Sequence, residues 1–216
     1  MKKITIQKIQ EFKHSQDPFA TLTAYDFNTG QILDDAGIPL ILVGDSASMT
    51  VYGYDTTVPI SMSEMLLVVK SVCRGVSNAL VVADMPFLSY QPSIEETIKN
   101  AGLLIKEGGA GAVKLEGGVH IQKNIKALVD SGIPVLGHIG LMPQSVNQTS
   151  GYKIQGKTDE SADKIIEDAY AVEKSGAFGI VLECIPEDLA TKITNMLSIP
   201  TIGIGSGATC DGQIQV

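Results

Sequence analysis

Five times along this chain a helical pattern closes on a small residue or a proline, and a short, mostly apolar run follows. The junctions read DDAGIPLILVGDS, KEGGAGAVKLEGG, VDSGIPVLGHIGL, EKSGAFGIVLECI and NMLSIPTIGIGSG. Glycine after a last helical turn suits the left-handed closing position. Proline keeps a helix from continuing. The runs lack polar alternation, which is the pattern of a parallel strand covered on both faces. The intervening segments read as helices. SIEETIKNAGLLIKEGG opens on a capping box, Ser93 to Glu96, and stops at Gly108. SADKIIEDAYAVEKSG sets Ile165, Ala169 and Val172 on one stripe, and PEDLATKITNML carries Pro186 in its first turn. Strands alternating with helices make βα units and a parallel sheet.

Seven strands are expected, near 20–23, 40–43, 80–83, 112–115, 135–139, 179–182 and 201–204. The closing DGQIQV reads as the start of another helix, so the last βα unit of an eight-stranded barrel is expected to be missing. An open doubly wound sheet tolerates seven strands but gathers ligand groups mainly at one switch point. Here the strands are followed by chemistry at the same end, as in a (β/α)₈ TIM barrel. The expected architecture is therefore α/β, a single barrel domain over 1–216, truncated at its C-terminus. Two long connections, 44–60 and 140–158, fall on the catalytic side and read as lids or binding loops.

The chemistry lies in how the apolar runs end. LILVGDS leads to Asp45, ALVVADMPF to Asp84, AVKLEGG to Glu116 and GIVLECI to Glu183. Each acid alone reads equally well as a turn residue or helix cap. Together they point at one axial mouth, where they would repel one another and raise their pKa values. A hard divalent cation relieves that repulsion, and a sulfur-free oxygen set suits Mg²⁺. Lys114 interrupts its strand two residues before Glu116, so alternation puts both on one face. An inward lysine there can hold a substrate anion; a strand-edge lysine would snorkel to water instead. His138 also sits inside a strand, as a catalyst or as a satisfied core residue. GIGSGAT has glycines like a phosphate loop but not the dinucleotide spacing.

Composition excludes several partners. The net charge is −8 and no run of Lys or Arg stands out, which argues against nucleic acid and anionic membrane surfaces. No stretch of 18 apolar residues spans a bilayer. The N-terminal MKKITIQKIQEFKHSQ lacks the apolar core of a signal peptide, so a cytoplasmic location is expected. Cys73, Cys184 and Cys210 form no C-x-x-C pair and read as free thiols. The residues alone lead to a metal-dependent barrel enzyme acting on a small, oxygen-rich substrate.

The wording of the strand ends goes further. LTAYD at 22–26, LVGDSASMTVYGYDTTVPI at 42–60, VVADMPFLSY at 81–90 and VKLEGG at 113–118 resemble the ketopantoate hydroxymethyltransferase family. So do GHIGLMPQSVN at 137–147, SGYKIQGKT at 150–158, LECIP at 182–186 and IGIGSGATCDGQI at 202–214. The resemblance implies a barrel of the phosphoenolpyruvate/isocitrate-lyase type, cytoplasmic, Mg²⁺-dependent and decameric in bacteria. It implies that a hydroxymethyl group passes from 5,10-methylenetetrahydrofolate to 3-methyl-2-oxobutanoate through a Mg²⁺-stabilised enolate. The product would be 2-dehydropantoate, on the route to pantothenate and coenzyme A. By the same resemblance Asp45 and Asp84 ligate Mg²⁺, with Glu116 in or beside that shell. Asp45, Ser46, Asp84 and Lys114 would contact the oxo acid, and Glu183 would accept its proton. A related carbon–carbon lyase would use the same metal and acids. A non-catalytic scaffold should have lost one of the acids, and all are present.

Overall fold

The computed structural model describes every residue except 1, 2, 16, 17, 150 and 152. Two residues of the SGYKIQGKT motif, Ser150 and Tyr152, thus lie outside the described residues. Eight parallel strands close into a barrel in sequence order. They are β1 Phe19–Thr23, β2 Leu40–Val43, β3 Leu80–Asp84, β4 Ala112–Glu116, β5 Val135–Gly140, β6 Gly179–Glu183, β7 Thr201–Ile204 and β8 Gly212–Gln215. The helices are α1 Ile6–Glu11, α2 Phe27–Asp35, α3 Ala47–Thr50, α4 Met62–Gly75, α5 Ile94–Lys106, α6 Gln122–Asp130, α7 Val146–Thr149, α8 Asp159–Lys174 and α9 Glu187–Met196.

The expectation of seven strands is corrected here, because the strand of the eighth unit is present. The DGQIQV segment is β8, not the start of a helix. It pairs with β1, where Phe19 faces Gly212 and Thr21 faces Ile214, and with β7, where Ile202 faces Gly212. Its pattern differs from the other strands for a physical reason. Gly212 and Ile214 are buried, while the intervening Gln213 and Gln215 are not. Period-2 burial with glutamine between hides a strand from a search for continuous apolar runs.

Two smaller expectations also change. Only half of the capping box at Ser93 forms: its hydroxyl accepts the Glu96 N–H at 3.1 Å, while the Glu96 carboxylate pairs with Lys99 at 3.3 Å. Pro186 is the residue before α9 rather than part of its first turn. The glycine stops hold, with Gly132 after α6 at φ 81° and Gly176 after α8 at φ 94°.

The core has two shells. Outward strand residues such as Ile41, Val81, Val113 and Ile180 pack against Met65, Val72, Leu104, Ile125 and Ile193 of the helices. Inward residues fill the barrel, with Leu40, Leu42, Leu80, Val82, Leu136 and Val181 in one cluster. Helix α1 plugs the floor. Ile9 is wholly buried in the interior cluster, and Phe12 stacks on Phe19 with ring centroids 4.6 Å apart. The inward face changes character toward the mouth. Leu80 and Val82 lead to Asp84, Ala112 leads to Lys114 and Glu116, Leu136 to His138 and Val181 to Glu183. Strand alternation alone stacks these side chains above the apolar plug. Among the described residues no helix is long and apolar enough to cross a membrane. The three cysteines are free.

Candidate active site

A cavity of about 100 Å³ opens at the carboxyl end of the strands. Asp45, Ser46, Asp84, Lys114, Glu116, His138 and Glu183, every residue singled out from the sequence, line it. The two long connections contribute as well, through Ser46, Thr57 and Pro143. By contrast, the glycines of GIGSGAT are not among the residues that line the cavity. Ser206 between them donates to Leu182 O at 2.8 Å and ties that turn to β6.

Lys114 is the hub of the charges. Its Nζ lies 2.7 Å from Asp84 Oδ1 and 4.0 Å from Glu116 Oε1. Lys114, Asp84 and Glu116 are all buried. Burial works against the ammonium, but Asp84, Glu116 and Asp45 outweigh it and raise its pKa. Lys114 therefore stays a cation. Asp84 Oδ2 accepts the Asp45 N–H at 3.0 Å. Asp84 Oδ1 is buried, and the Lys114 ammonium at 2.7 Å is its close partner, in an ion pair that occupies one of its two lone pairs.

The neighbouring acids are less settled. Burial, and next the Asp84 charge, push Asp45 up to about 7. Burial also drives Glu116 well above the usual carboxylate range. Lys114 pulls the other way on both but does not cancel the shift.

His138 is fixed by its neighbours. Its Nδ1 lies 3.2 Å from the Lys114 ammonium, which can only donate, so Nδ1 is the acceptor. The proton then sits on Nε2, 3.1 Å from Glu183 Oε2. At that distance Glu183 is the group Nε2 serves. Burial and the Lys114 charge lower the pKa of His138, so the ring is neutral. Glu183 is the most open of the four acids, with 17% of its side chain exposed. Its position depends on Gly140 at φ 91°, since any Cβ there would fall 2.3 Å from Glu183 O.

The donor set can be tested against a cation. One permanent positive charge faces four carboxylates, two of which are pushed toward protonation. Asp84 Oδ1, engaged by the Lys114 ammonium, has a second lone pair to offer. Among the described residues no three His, Cys, Asp or Glu side chains form a ready-made cage. Mg²⁺ does not need one, because it commonly takes one or two carboxylates and keeps water or substrate oxygens. Asp45 and Asp84 fit that requirement, with Glu116 beside them.

Three residues at the site were not singled out from the sequence. Gln144 donates to Asp45 Oδ2 at 2.8 Å, and Tyr90 OH lies 2.8 Å from Gln144 Oε1. Thr57 lines the cavity with a buried, unpartnered hydroxyl. Their motifs were visible, but nothing in loop sequences marks which side chain turns inward.

The family model of ketopantoate hydroxymethyltransferase matches residues 3–216. The chain belongs to this family. A 3-methyl-2-oxobutanoate hydroxymethyltransferase of Dehalococcoides mccartyi is 59% identical over 212 residues, covering 98% of this chain and 76% of that relative. One from Clostridium botulinum is 55% identical over 214 residues, covering 99% and 78%. Among solved structures, phosphonopyruvate hydrolase in complex with oxalate and Mg²⁺ superposes with a TM-score of 0.73 at 14% identity, over 99% of this chain and 80% of that one. The 2,3-dimethylmalate lyase structure, a PEP mutase/isocitrate lyase superfamily member, gives 0.66 at 17% identity, over 97% and 80%. At such identities the likeness shows the fold: a hydroxymethyltransferase-family chain on a barrel of the phosphoenolpyruvate mutase/isocitrate-lyase type.

Proposed function

We propose that this chain transfers a hydroxymethyl group from 5,10-methylenetetrahydrofolate to 3-methyl-2-oxobutanoate and yields 2-dehydropantoate. One observation carries the reading beyond family membership. Glu183, an acceptor with its carboxylate at the cavity, faces a buried cation, Lys114, across the neutral ring of His138. Abstraction of a proton beside a ketone needs that pair: a base for the carbon and a positive group for the oxygen.

Each residue then has a task. Ser46, whose Oγ lies 2.8 Å from Tyr25 OH, is placed to bind the acid's carboxylate. Lys114 meets the negative charge that develops on the keto oxygen as C3 loses its proton. Glu183 takes that proton, and His138 Nε2–H orients the Glu183 carboxylate. A bond forms between C3 and the one-carbon unit, both bonds of that unit to the folate nitrogens N5 and N10 break, water supplies the hydroxyl oxygen, and one proton from C3 and one from water end on the two nitrogens. Mg²⁺ held by Asp45 and Asp84, with Glu116 beside them, would supply Lewis-acid polarisation of the oxo acid's oxygens. The oxalate and Mg²⁺ in the phosphonopyruvate hydrolase structure agree with that chemistry.

The test is tetrahydrofolate release that depends on the oxo acid, measured with and without Mg²⁺. A related lyase would release none. The base is tested separately and without folate. Wild-type protein should exchange the C3 hydrogen of the oxo acid for solvent deuterium. Glu183→Gln should bind the acid yet exchange it on the order of 10²- to 10⁴-fold more slowly. Exchange at the wild-type rate would remove Glu183 from the role and make His138 the next candidate.

A further inference from the structure

Gln144 lies in the loop after β5, 5% exposed, and its polar groups reach three other parts of the mouth. Its Nε2 donates to Asp45 Oδ2 at 2.8 Å and to Met85 O at 2.9 Å. Its backbone N–H donates to Glu116 Oε2 at 3.0 Å. Its Oε1 accepts from Tyr90 OH at 2.8 Å. A primary amide has two N–H donors, and both are engaged.

The loop does not need this side chain to make its turn. Pro143–Ser145 is a single 3₁₀ turn closed by backbone bonds, with Ser145 N–H to Met142 O at 2.9 Å and Val146 N–H to Pro143 O. The side chain is therefore available for the carboxylates. Its direction is also set. Tyr90 OH accepts the Glu116 N–H at 3.3 Å and has two acceptors for its own proton, Gln144 Oε1 at 2.8 Å and Glu116 O at 3.1 Å, of which Gln144 is the nearer. A flipped amide would turn Oε1 toward Asp45 Oδ2 and Met85 O, two acceptors. The NH₂ group must face Asp45.

One oxygen of Asp45 and one of Glu116 are thus occupied by the same residue. Asp45 Oδ1 and Glu116 Oε1 remain for other partners. We infer that Gln144 is a positioning residue for the divalent cation: it fixes the spacing of Asp45 and Glu116 and makes cation retention depend on the loop after β5. The inference rests on the Mg²⁺ reading above and deepens it.

The experiment measures Mn²⁺ binding to the full chain by electron paramagnetic resonance, with no substrate present. Gln144→Met keeps the length and removes the side-chain donors. Loss of a group that orients a ligand typically costs about 10- to 100-fold in metal affinity, and that weakening is expected here. Turnover at saturating metal should recover most of its wild-type rate, so the effect appears in the metal activation constant. A side chain that only stabilised the fold would lower the melting temperature and leave the Mn²⁺ affinity of the folded protein unchanged. Tyr90→Phe serves as a second variant should Gln144→Met not fold. It removes the hydroxyl that holds Gln144 Oε1, loosens the amide against Asp45, and should weaken Mn²⁺ binding several-fold. Wild-type affinity in Gln144→Met, or in Tyr90→Phe where only that variant folds, overturns the inference while the metal reading stands. If the wild-type chain itself binds no Mn²⁺, the metal reading fails and the inference fails with it.

Discussion

Asp34 and Asp45 are each 4% exposed, at opposite ends of the barrel, and their carboxyls are driven in opposite directions. Asp34 near the end of α2 accepts the N–H groups of Ser77, Asn78 and Ala79, together with the Asn78 side-chain amide. These are the residues that lead into β3. Burial pushes Asp34 up, but the Ala79, Ser77 and Asn78 donors more than compensate, and its pKa is lowered. Asp45 lies much deeper, with a Gln144 donor and Asp84 as a close neighbour, and burial first and the Asp84 charge next push it up to about 7. Neither group is open to solvent. The difference is depth, together with whether donors or further anions surround the group. The floor carboxylate is fully answered by protein and is structural. The mouth carboxylates are left short of positive charge, which is how a site prepares for a cation or for substrate.

The largest test of that contrast is Asp84→Ala. It removes an anionic oxygen donor and strips Lys114 of its nearest partner at 2.7 Å. Breaking a buried pair from one side typically costs about 3–5 kcal/mol. Activity should vanish and Mn²⁺ binding should weaken sharply. Wild-type Mn²⁺ affinity in this variant would break the assignment of the mouth as a cation site.

Asp34→Ala tests the other end. It should lower stability by on the order of 3 kcal/mol, because bonds to a charged acceptor contribute about 1.5–3 kcal/mol each and are not additive. Turnover per folded molecule should not change. Denaturant melts paired with active-site titration check this. A loss of turnover in the folded fraction would show that the two ends are coupled, and the comparison would fail.

The ease of reading these regions in the sequence differs for the same physical reason. Asp45, Asp84, Glu116 and Glu183 were legible because each ends a largely apolar run, and a barrel aligns such ends. Lys114 and His138 were legible through alternation, which fixes their face. Gln144, Tyr90 and Thr57 were not, since a loop has no period to say which side chain turns inward. The floor was the least legible part. Helix α1 is six residues with one fully buried anchor, Ile9, and its plug role depends on contact with Phe19 and its neighbours. Strand β8 was missed because Gln213 and Gln215 alternate with its two buried positions.

The subtlest consequence is a pH effect of opposite sign at the two ends. Asp34 has a folded pKa below its ordinary 3.8, so its contribution is present above that value and is lost as pH falls below it. Asp45 has a folded value raised to about 7, so between about pH 4 and 7 the folded chain binds more protons than the unfolded one. Stability from this group therefore falls as pH rises through that window. Asp45→Asn keeps the shape and cannot ionise. In the presence of a chelator the variant should melt above the wild type at pH 8, by on the order of a few degrees for a chain of this size. The gap should shrink toward pH 4, where Asp45 is protonated in the folded chain. Adding Mg²⁺ at pH 8 should narrow it again, because a ligand that binds only the folded wild type raises its stability. Melting curves at four or five pH values decide the matter. A gap that stays constant across the range would mean that Asp45 does not carry the unrelieved charge of the mouth.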